Sequence, residues 1–92
     1  MAAPLCCAFC HFAWEEREVF RFLPPKIRKE LLREHAAIKR CGYAPKLVKS
    51  HGTRELCYVK MFCPPEIAAL VIADHEQLDV HQVHSASCCC PA

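Results

Sequence analysis

The sequence predicts an all-α protein, an up-down-up-down four-helix bundle made of two repeated helical hairpins. Three observations point to this fold class. Apolar residues recur every three to four positions over most of the chain, the period of a helix with one buried face. The pairs Pro24-Pro25 and Pro64-Pro65 interrupt this pattern, and proline stops a helix but suits the first turn of the next one. The alternating pattern of a β-strand is absent, so these breaks should join helix to helix.

An internal repeat relates the two hairpins. Residues 11–38 align with residues 51–78 without a gap. The matched pairs include His11 and His51, Glu15 and Glu55, Val19 and Val59, Phe22 and Phe62, Ile27 and Ile67, Glu34 and Asp74, and His35 and His75. Most other positions differ, which indicates a structural or chemical unit rather than low complexity. We therefore predict one domain over residues 1–84, with repeat halves 11–40 and 51–80, and a disordered cysteine-rich tail over residues 85–92.

The first hairpin is expected to consist of two helices. The first runs from about Leu5 to Leu23, and the diproline ends it. Its inner face consists of Leu5, Ala8, Phe12, Val19, Phe22 and Leu23. The second runs from about Pro25 to Arg40, with Ile27, Leu31 and Ile38 facing inward.

A turn over residues 41–45 should connect the hairpins, because Gly42 is a natural C-terminal stop for a helix. The third helix is expected from about Pro45 to Phe62, and the fourth from about Pro65 to Val83. Their inner residues are Leu47, Val48, Tyr58, Val59 and Phe62 in the third helix, and Ile67, Ala68, Val71 and Leu78 in the fourth.

Composition excludes several function classes. Twelve basic against ten acidic residues leave a net charge of +2, which argues against a protein that binds nucleic acid through phosphate contacts. No apolar run is long enough for a transmembrane helix. The nine cysteines are odd in number and crowd at the two ends, and no signal peptide precedes them. We therefore expect a cytoplasmic protein with reduced thiols, a monomer or a homodimer, without nucleic-acid or membrane partners.

Six polar residues of the repeat lie on the predicted apolar faces: His11, Glu15, His35, His51, Glu55 and His75. A carboxylate rarely occupies such a face unless it is paired or holds a metal. Helix rise, roughly 1.5 Å per residue, places Glu15 and His35 at similar distances from the diproline, about nine and ten residues. His35 and His51 each stand about eight residues from the connecting turn. The six groups should therefore meet in one layer of the bundle.

Four imidazoles and two carboxylates suit a borderline divalent metal, iron above all, with manganese or zinc as alternatives. Two carboxylates from opposite helices can bridge two ions, leaving each ion two imidazoles and an open position. Four-helix bundles build diiron sites in this way. The expected cofactor is therefore a pair of non-haem iron ions, with Glu15 and Glu55 bridging.

The repeated pattern resembles the hemerythrin-like HHE cation-binding family. The matching strings are HFAWEEREVFRFLPP with LLREHAAI, and HGTRELCYVKMFCPP with IADHEQL. The resemblance covers about residues 11–80 and implies a non-haem diiron bundle. By position, it implies as metal ligands His11, Glu15, His35, His51, Glu55 and His75. It also implies binding of dioxygen, sensing of iron, oxygen or nitric oxide, or handling of iron in the repair of iron centres.

The order of motifs departs from the family. Family members usually open with a lone-histidine helix and end with a His-x-x-x-Glu helix, whereas this chain starts with His-x-x-x-Glu and ends with Asp-His, as though permuted by one helix. It is also shorter than most members. A bundle closed by a second copy of the chain is therefore an alternative to closure within one chain.

Other interpretations stay open. The histidine–glutamate pairs could be buried hydrogen bonds in a metal-free interaction module, and enzymatic turnover is not excluded, although a carrier or sensor is favoured. The terminal cysteines could form a zinc site with His11; they are Cys6, Cys7, Cys10 and Cys88–Cys90. Tyr58 is a candidate hydrogen-bond donor to the site. His81 and His84 are expected at a solvated helix end.

Overall fold

The computed structural model describes residues 8–77 of the 92-residue chain. Every regular element in this range is helical, which confirms the all-α prediction for these residues. In chain order the elements are α1 (Ala8–Trp14), continued without a break by a π-helical segment (Glu15–Val19) and a 3-10 turn (Phe20–Phe22), then α2 (Pro25–Arg40), α3 (Pro45–Phe62) and α4 (Pro65–Gln77). The predicted tail, and the predicted extension of the fourth helix to Val83, lie outside the described residues.

Proline begins three of the helices, as predicted. Its fixed φ suits the first helical position, and the amide hydrogen that it lacks would have no helical partner there. The carbonyls just before these prolines accept helical hydrogen bonds at 2.9–3.0 Å; they belong to Pro24, Ala44 and Pro64. The bounds of α2 and α3 are those expected from the sequence.

The C-terminus of α2 ends in a left-handed turn at Gly42 and Tyr43, whose φ angles are 65° and 60°. The Tyr43 amide donates to the Ile38 carbonyl at 2.9 Å, and the Gly42 amide donates to the Lys39 carbonyl at 3.2 Å. This pairing satisfies two carbonyls that the helix end leaves open. The buried Tyr43 ring packs with Ile38 and Phe12, so the turn is tied to the core.

The first helix departs from the prediction of an unbroken α-helix ending at Leu23. The α form ends at Trp14, and a π turn begins at Glu15. A π turn holds more residues than an α turn, so it changes which later side chains face inward. Phe20 is consequently fully buried, whereas the predicted core residue Phe22 is only half-buried.

Two apolar clusters flank the centre of the protein. The larger contains Trp14, Val19, Phe20, Leu23, Leu31, Val59 and Val71. The smaller contains Phe12, Ile38 and Tyr43. The prediction that Leu47 and Phe62 face inward is wrong: each is 40% exposed, because they lie in the first and last turns of α3. Among the helices of residues 8–77, none combines the length and apolar character that crossing a membrane requires.

Candidate metal centre

The six polar residues singled out by the repeat lie together between the two apolar clusters. Each helix contributes: α1 carries His11, the π segment begins with Glu15, α2 carries His35, α3 carries His51 and Glu55, and α4 carries His75. Glu15, His35 and Glu55 are fully buried, and His11 and His51 nearly so. The side chain of His75 retains 17% of its exposure.

Glu15 stands at the centre of the group. One of its carboxylate oxygens, Oε2, lies 3.0 Å from Nε2 of His11 and 3.2 Å from Nε2 of His75. The other oxygen, Oε1, lies 3.5 Å from Nε2 of His35. Three imidazoles from three different helices therefore face one carboxylate.

Glu55 occupies the matching position of the second repeat. Its Oε1 lies 3.5 Å from Nε2 of His51 and 3.3 Å from Nε2 of His75. All four histidines thus present Nε2 to the two carboxylates.

The ligand atoms form two groups suited to metal ions. Atoms of Glu15, His35, His51 and Glu55 all lie within 4.8 Å of one another, and so do atoms of His11, Glu15 and His75. Each group could hold a metal ion, and Glu15 is the residue common to both.

Several inward-facing atoms have no hydrogen bond within the described part of the chain. They are Nε2 of His11, His35 and His51, Oε1 of Glu15, and both carboxylate oxygens of Glu55. Leaving a buried polar atom without a partner costs about 1–3 kcal/mol, so a cluster of them is expensive. Divalent metal ions would engage these imidazole nitrogens and carboxylate oxygens, and the donor set therefore fits such ions.

The close packing of Glu15 and Glu55 shifts their pKa values in opposite directions. Burial raises the pKa of Glu55, and the charge of Glu15 raises it further. Burial acts the same way on Glu15, but contacts with Glu55 and His11 outweigh it and hold the pKa of Glu15 well below its ordinary value. The two carboxyls thus titrate as a pair, in which Glu15 loses its proton at a lower pH than Glu55.

The carboxylates raise the pKa values of two of the histidines. Burial alone would lower the pKa of His35, but contacts with Glu15 and Glu16 raise it to about 9. Burial likewise opposes protonation of His75, but contacts with Glu15 and Glu55 raise its pKa to about 10. Protonated imidazoles therefore supply the positive charge that bound metal ions would otherwise bring.

A second set of acids lies behind the histidines, and the sequence pattern alone did not reveal their role. Nδ1 of His35 lies 2.7 Å from Glu16, and Nδ1 of His51 lies 2.6 Å from Glu34. Asp74 stands 3.6 Å from Nδ1 of His11. A carboxylate on one ring nitrogen fixes the tautomer and orientation of an imidazole that binds metal through the other.

The repeat contained a signal for two of these acids. Glu34 and Asp74 are matched positions, each directly preceding a histidine of the centre. Each contacts a histidine on another helix, Glu34 reaching His51 and Asp74 reaching His11, so the role depends on helix packing.

The first repeat covers its histidine more completely than the second. The ring of Phe12 stacks on that of His35, with centroids 3.9 Å apart and planes 3° from parallel. The matched position in the second repeat is Gly52, where the Cβ of any larger residue would lie 3.4 Å from Nδ1 of His75. Leu56 stands at the position matched to Glu16. His75 therefore lacks the aromatic cover and the acid that the repeat provides to His35.

Other sequence candidates lie apart from the centre or outside the described residues. Tyr58 packs against the larger apolar cluster, as a core residue would. Cysteine is absent from the potential metal groups of residues 8–77, and Cys41, Cys57 and Cys63 are free thiols there. Cys6, Cys7, Cys88–Cys90, His81 and His84 lie outside the described residues, so the alternative zinc site stays a prediction.

Comparison with known proteins does not place the chain in a family. A scan against protein-family models gives no match, and searches of curated proteins and of solved structures give none either.

Proposed function

We propose that this chain is a non-haem diiron protein of the hemerythrin-like type that binds or senses oxygen, nitric oxide or iron. The observation that supports this most strongly is the buried centre, where four imidazoles face two carboxylates and most inward atoms lack a hydrogen bond within the described residues. A metal-free centre of this kind is costly to bury. Metal ions offset that cost.

The proposal assigns the ligands to two ions. His35 and His51 would hold one ion, and His11 and His75 would hold the other. Glu15 would be common to both ions, because it belongs to both groups of ligand atoms. Glu55 also approaches a histidine from each group, and we propose it as the second bridge.

The fold proposed around this centre is an up-down-up-down bundle of two related hairpins in one chain. Contacts between elements far apart in the sequence support closure within a single copy. His75 of α4 meets Glu15 of the π segment across 60 positions, and His51 of α3 meets Glu34 of α2.

The proposed activity is reversible binding in a cytoplasmic protein. Two ferrous ions would supply two electrons to a diatomic ligand, which makes such a centre suited to carriage or sensing. The protein's own part is to hold the ligand atoms, orient the imidazoles through the outer acids, and keep the centre largely dry. An enzyme or iron-repair protein would use the same centre with turnover or iron transfer in addition.

Metal content tests the proposal. The purified chain, loaded with ferrous iron under reducing conditions, should hold about two irons per chain by elemental analysis, with a visible absorption band after oxidation. Glu15→Gln and Glu55→Gln should each lose most of that iron, because each variant removes one of the two carboxylates that the histidines face. Glu66→Gln, at an exposed glutamate in the first turn of α4, is the matched control and should load normally.

The alternative outcomes separate the remaining interpretations. A chain that takes up no iron under these conditions contradicts the proposal and favours the metal-free module. Preferential retention of zinc or manganese would keep the metal centre but overturn the diiron assignment. One iron per chain would indicate a centre shared between two copies.

A further inference from the structure

A pocket leads from the protein surface to the candidate metal centre. Its volume is about 350 Å³. Exposed Lys49 and Thr53 stand at its outer end, and buried His11 and Glu55 line its inner end. A pocket of this size lies in the range of sites for small organic molecules, well beyond the needs of a diatomic gas.

The pocket exists where the two repeats differ. In the first repeat, the Phe12 ring fills the space over His35. In the second, Gly52 provides no side chain, and the pocket reaches His75 beside it. His75 is accordingly the most exposed of the four histidines.

The pocket reaches both groups of ligand atoms. It is lined by His11 and His75 from the group of three residues and by His51 and Glu55 from the group of four. It therefore gives access to both proposed ion positions.

The walls and mouth define the chemistry of the occupant. Phe12, Val48 and Leu56 supply apolar surface along the walls, and Lys49 is the charged group at the mouth. The apolar part of a ligand would pack against these walls. A negatively charged group on the ligand would pair with the exposed ammonium group of Lys49.

We propose that this pocket binds a small organic carboxylate, with its carboxylate near Lys49 and its apolar body along Phe12, Val48 and Leu56. This inference rests on the proposed diiron function and adds an organic ligand class to it. The loaded protein is then a binder of an organic acid as well as of a diatomic gas.

Hexanoate, hexanol and hexylammonium share an apolar chain and differ in the charge of the head group, so comparing their affinities tests the charge preference of the pocket. Isothermal titration of the iron-loaded chain should show saturable hexanoate binding, weaker hexanol binding and the weakest hexylammonium binding. Lys49→Gln should weaken hexanoate binding roughly two- to fivefold, the range for an exposed ion pair, without changing the affinity for hexanol. Lys46→Gln, an exposed lysine of α3 that does not line the pocket, should leave both unchanged.

Filling the pocket tests the location. Gly52→Phe introduces the residue that the first repeat has at the matched position, Phe12. It should weaken hexanoate binding by at least roughly tenfold, a loss of about 1.4 kcal/mol, while iron content is retained. Leu56→Trp fills the same space from the wall and serves if Phe at position 52 displaces His75. Equal hexanoate affinity in the wild type and in either iron-loaded variant overturns the proposed location.

The iron content of the purified chain distinguishes failure of this inference from failure of the proposed diiron function. A wild-type chain that loads two irons but does not bind hexanoate overturns the organic-ligand proposal alone. A wild-type chain that takes up no iron overturns both.

Discussion

The candidate centre has two shells of acids, and they have different tasks. Glu15 and Glu55 face the Nε2 atoms, whereas Glu16 and Glu34 contact Nδ1 atoms from behind. An imidazole that donates to a carboxylate through Nδ1 presents a bare Nε2 to a metal, and its basicity rises. The outer acids should therefore affect metal affinity without being ligands.

Glu34 offers the sharpest test of this division, because Glu30 is a matched control. Arg54 contacts both carboxylates, at 2.7 Å to Glu34 and 2.9 Å to Glu30, but only Glu34 also reaches His51. Glu34→Gln should lower metal affinity roughly 10- to 100-fold, as does the loss of a carboxylate that contacts the second ring nitrogen of a ligating histidine. Glu30→Gln should leave it within about twofold, since it alters only an exposed ion pair.

Competition with a chelator of known affinity measures both variants. Equal affinities in Glu34→Gln and Glu30→Gln would show that the contact between Glu34 and His51 only stabilises packing.

At the level of the elements, the π segment separates the two repeats most clearly. The first repeat changes from α to π form at Glu15, whereas α3 continues as an α-helix through the matched Glu55. Single π turns within helices occur frequently at functional sites. Here the π turn begins at the carboxylate that both ligand groups share, so the irregular backbone coincides with the centre of the site.

The chain has two glycines, and they have opposite structural roles. Gly42 has a φ of 65° at the end of α2, whereas Gly52 lies inside α3. Gly42→Ala should destabilise the protein by about 1 kcal/mol, because an L side chain is strained in the left-handed region. Gly52→Ala should stabilise it by roughly 0.8–1 kcal/mol through helix propensity, since the added Cβ meets the His75 ring at an ordinary contact distance of 3.4 Å.

Urea unfolding of both variants, each metal-free, checks these opposite signs. Within residues 8–77, and leaving aside the adjoining Cys41 and Tyr43, no atom lies within 4 Å of a Cβ added at Gly42, so the expected loss there is a backbone effect. A stabilising Gly42→Ala would contradict the left-handed turn.

For the whole molecule, we expect metal binding and folding to be coupled. A chain of this size buries only about 60–65% of its unfolded surface, which leaves little surplus stability. The middle of this small core holds ionisable groups in place of apolar ones. Free energy of metal binding at the assembled centre would therefore also be free energy of folding.

Metal removal should make stability depend on pH in a specific direction. In the empty protein, His35 and His75 bind protons with pKa values of about 9 and about 10, above the ordinary 6.5. Their stabilising contribution is complete below about pH 6.5 and is lost as pH rises through these folded-state values. The free energy of unfolding of the empty protein should therefore fall between about pH 7 and about pH 10, by an amount on the order of a few kcal/mol.

The free energy of unfolding of the metal-loaded protein should not fall over this pH range, because metal-bound imidazoles carry no competing proton and metal affinity rises with pH. Urea unfolding at both pH values, with and without metal, measures the difference. The variant with Leu at His11, Glu15, His51 and Glu55 is the control and should gain nothing from added metal. A wild-type chain that gains no stability from metal at either pH would contradict the coupling.

The sequence alone was sufficient to predict α2, α3, the start of α4 and the six polar residues that the structure brings together. Apolar spacing and proline placement are local properties, and they located α2, α3 and the start of α4. The repeat singled out the histidines and glutamates because identical polar residues recurred on apolar faces. Their common depth followed from helix rise, which is the same in every α-helix.

Only the tertiary structure decided how neighbouring helices meet. The π turn after Trp14, and with it the burial of Phe20 in place of Phe22, gave no periodic signal. Glu34 and Asp74 adjoin histidines in sequence but contact histidines of other helices. The pocket beside Gly52 likewise arises from side chains of several elements. Sequence periodicity specifies which face of a helix is buried, whereas the partner of each buried side chain depends on packing between helices.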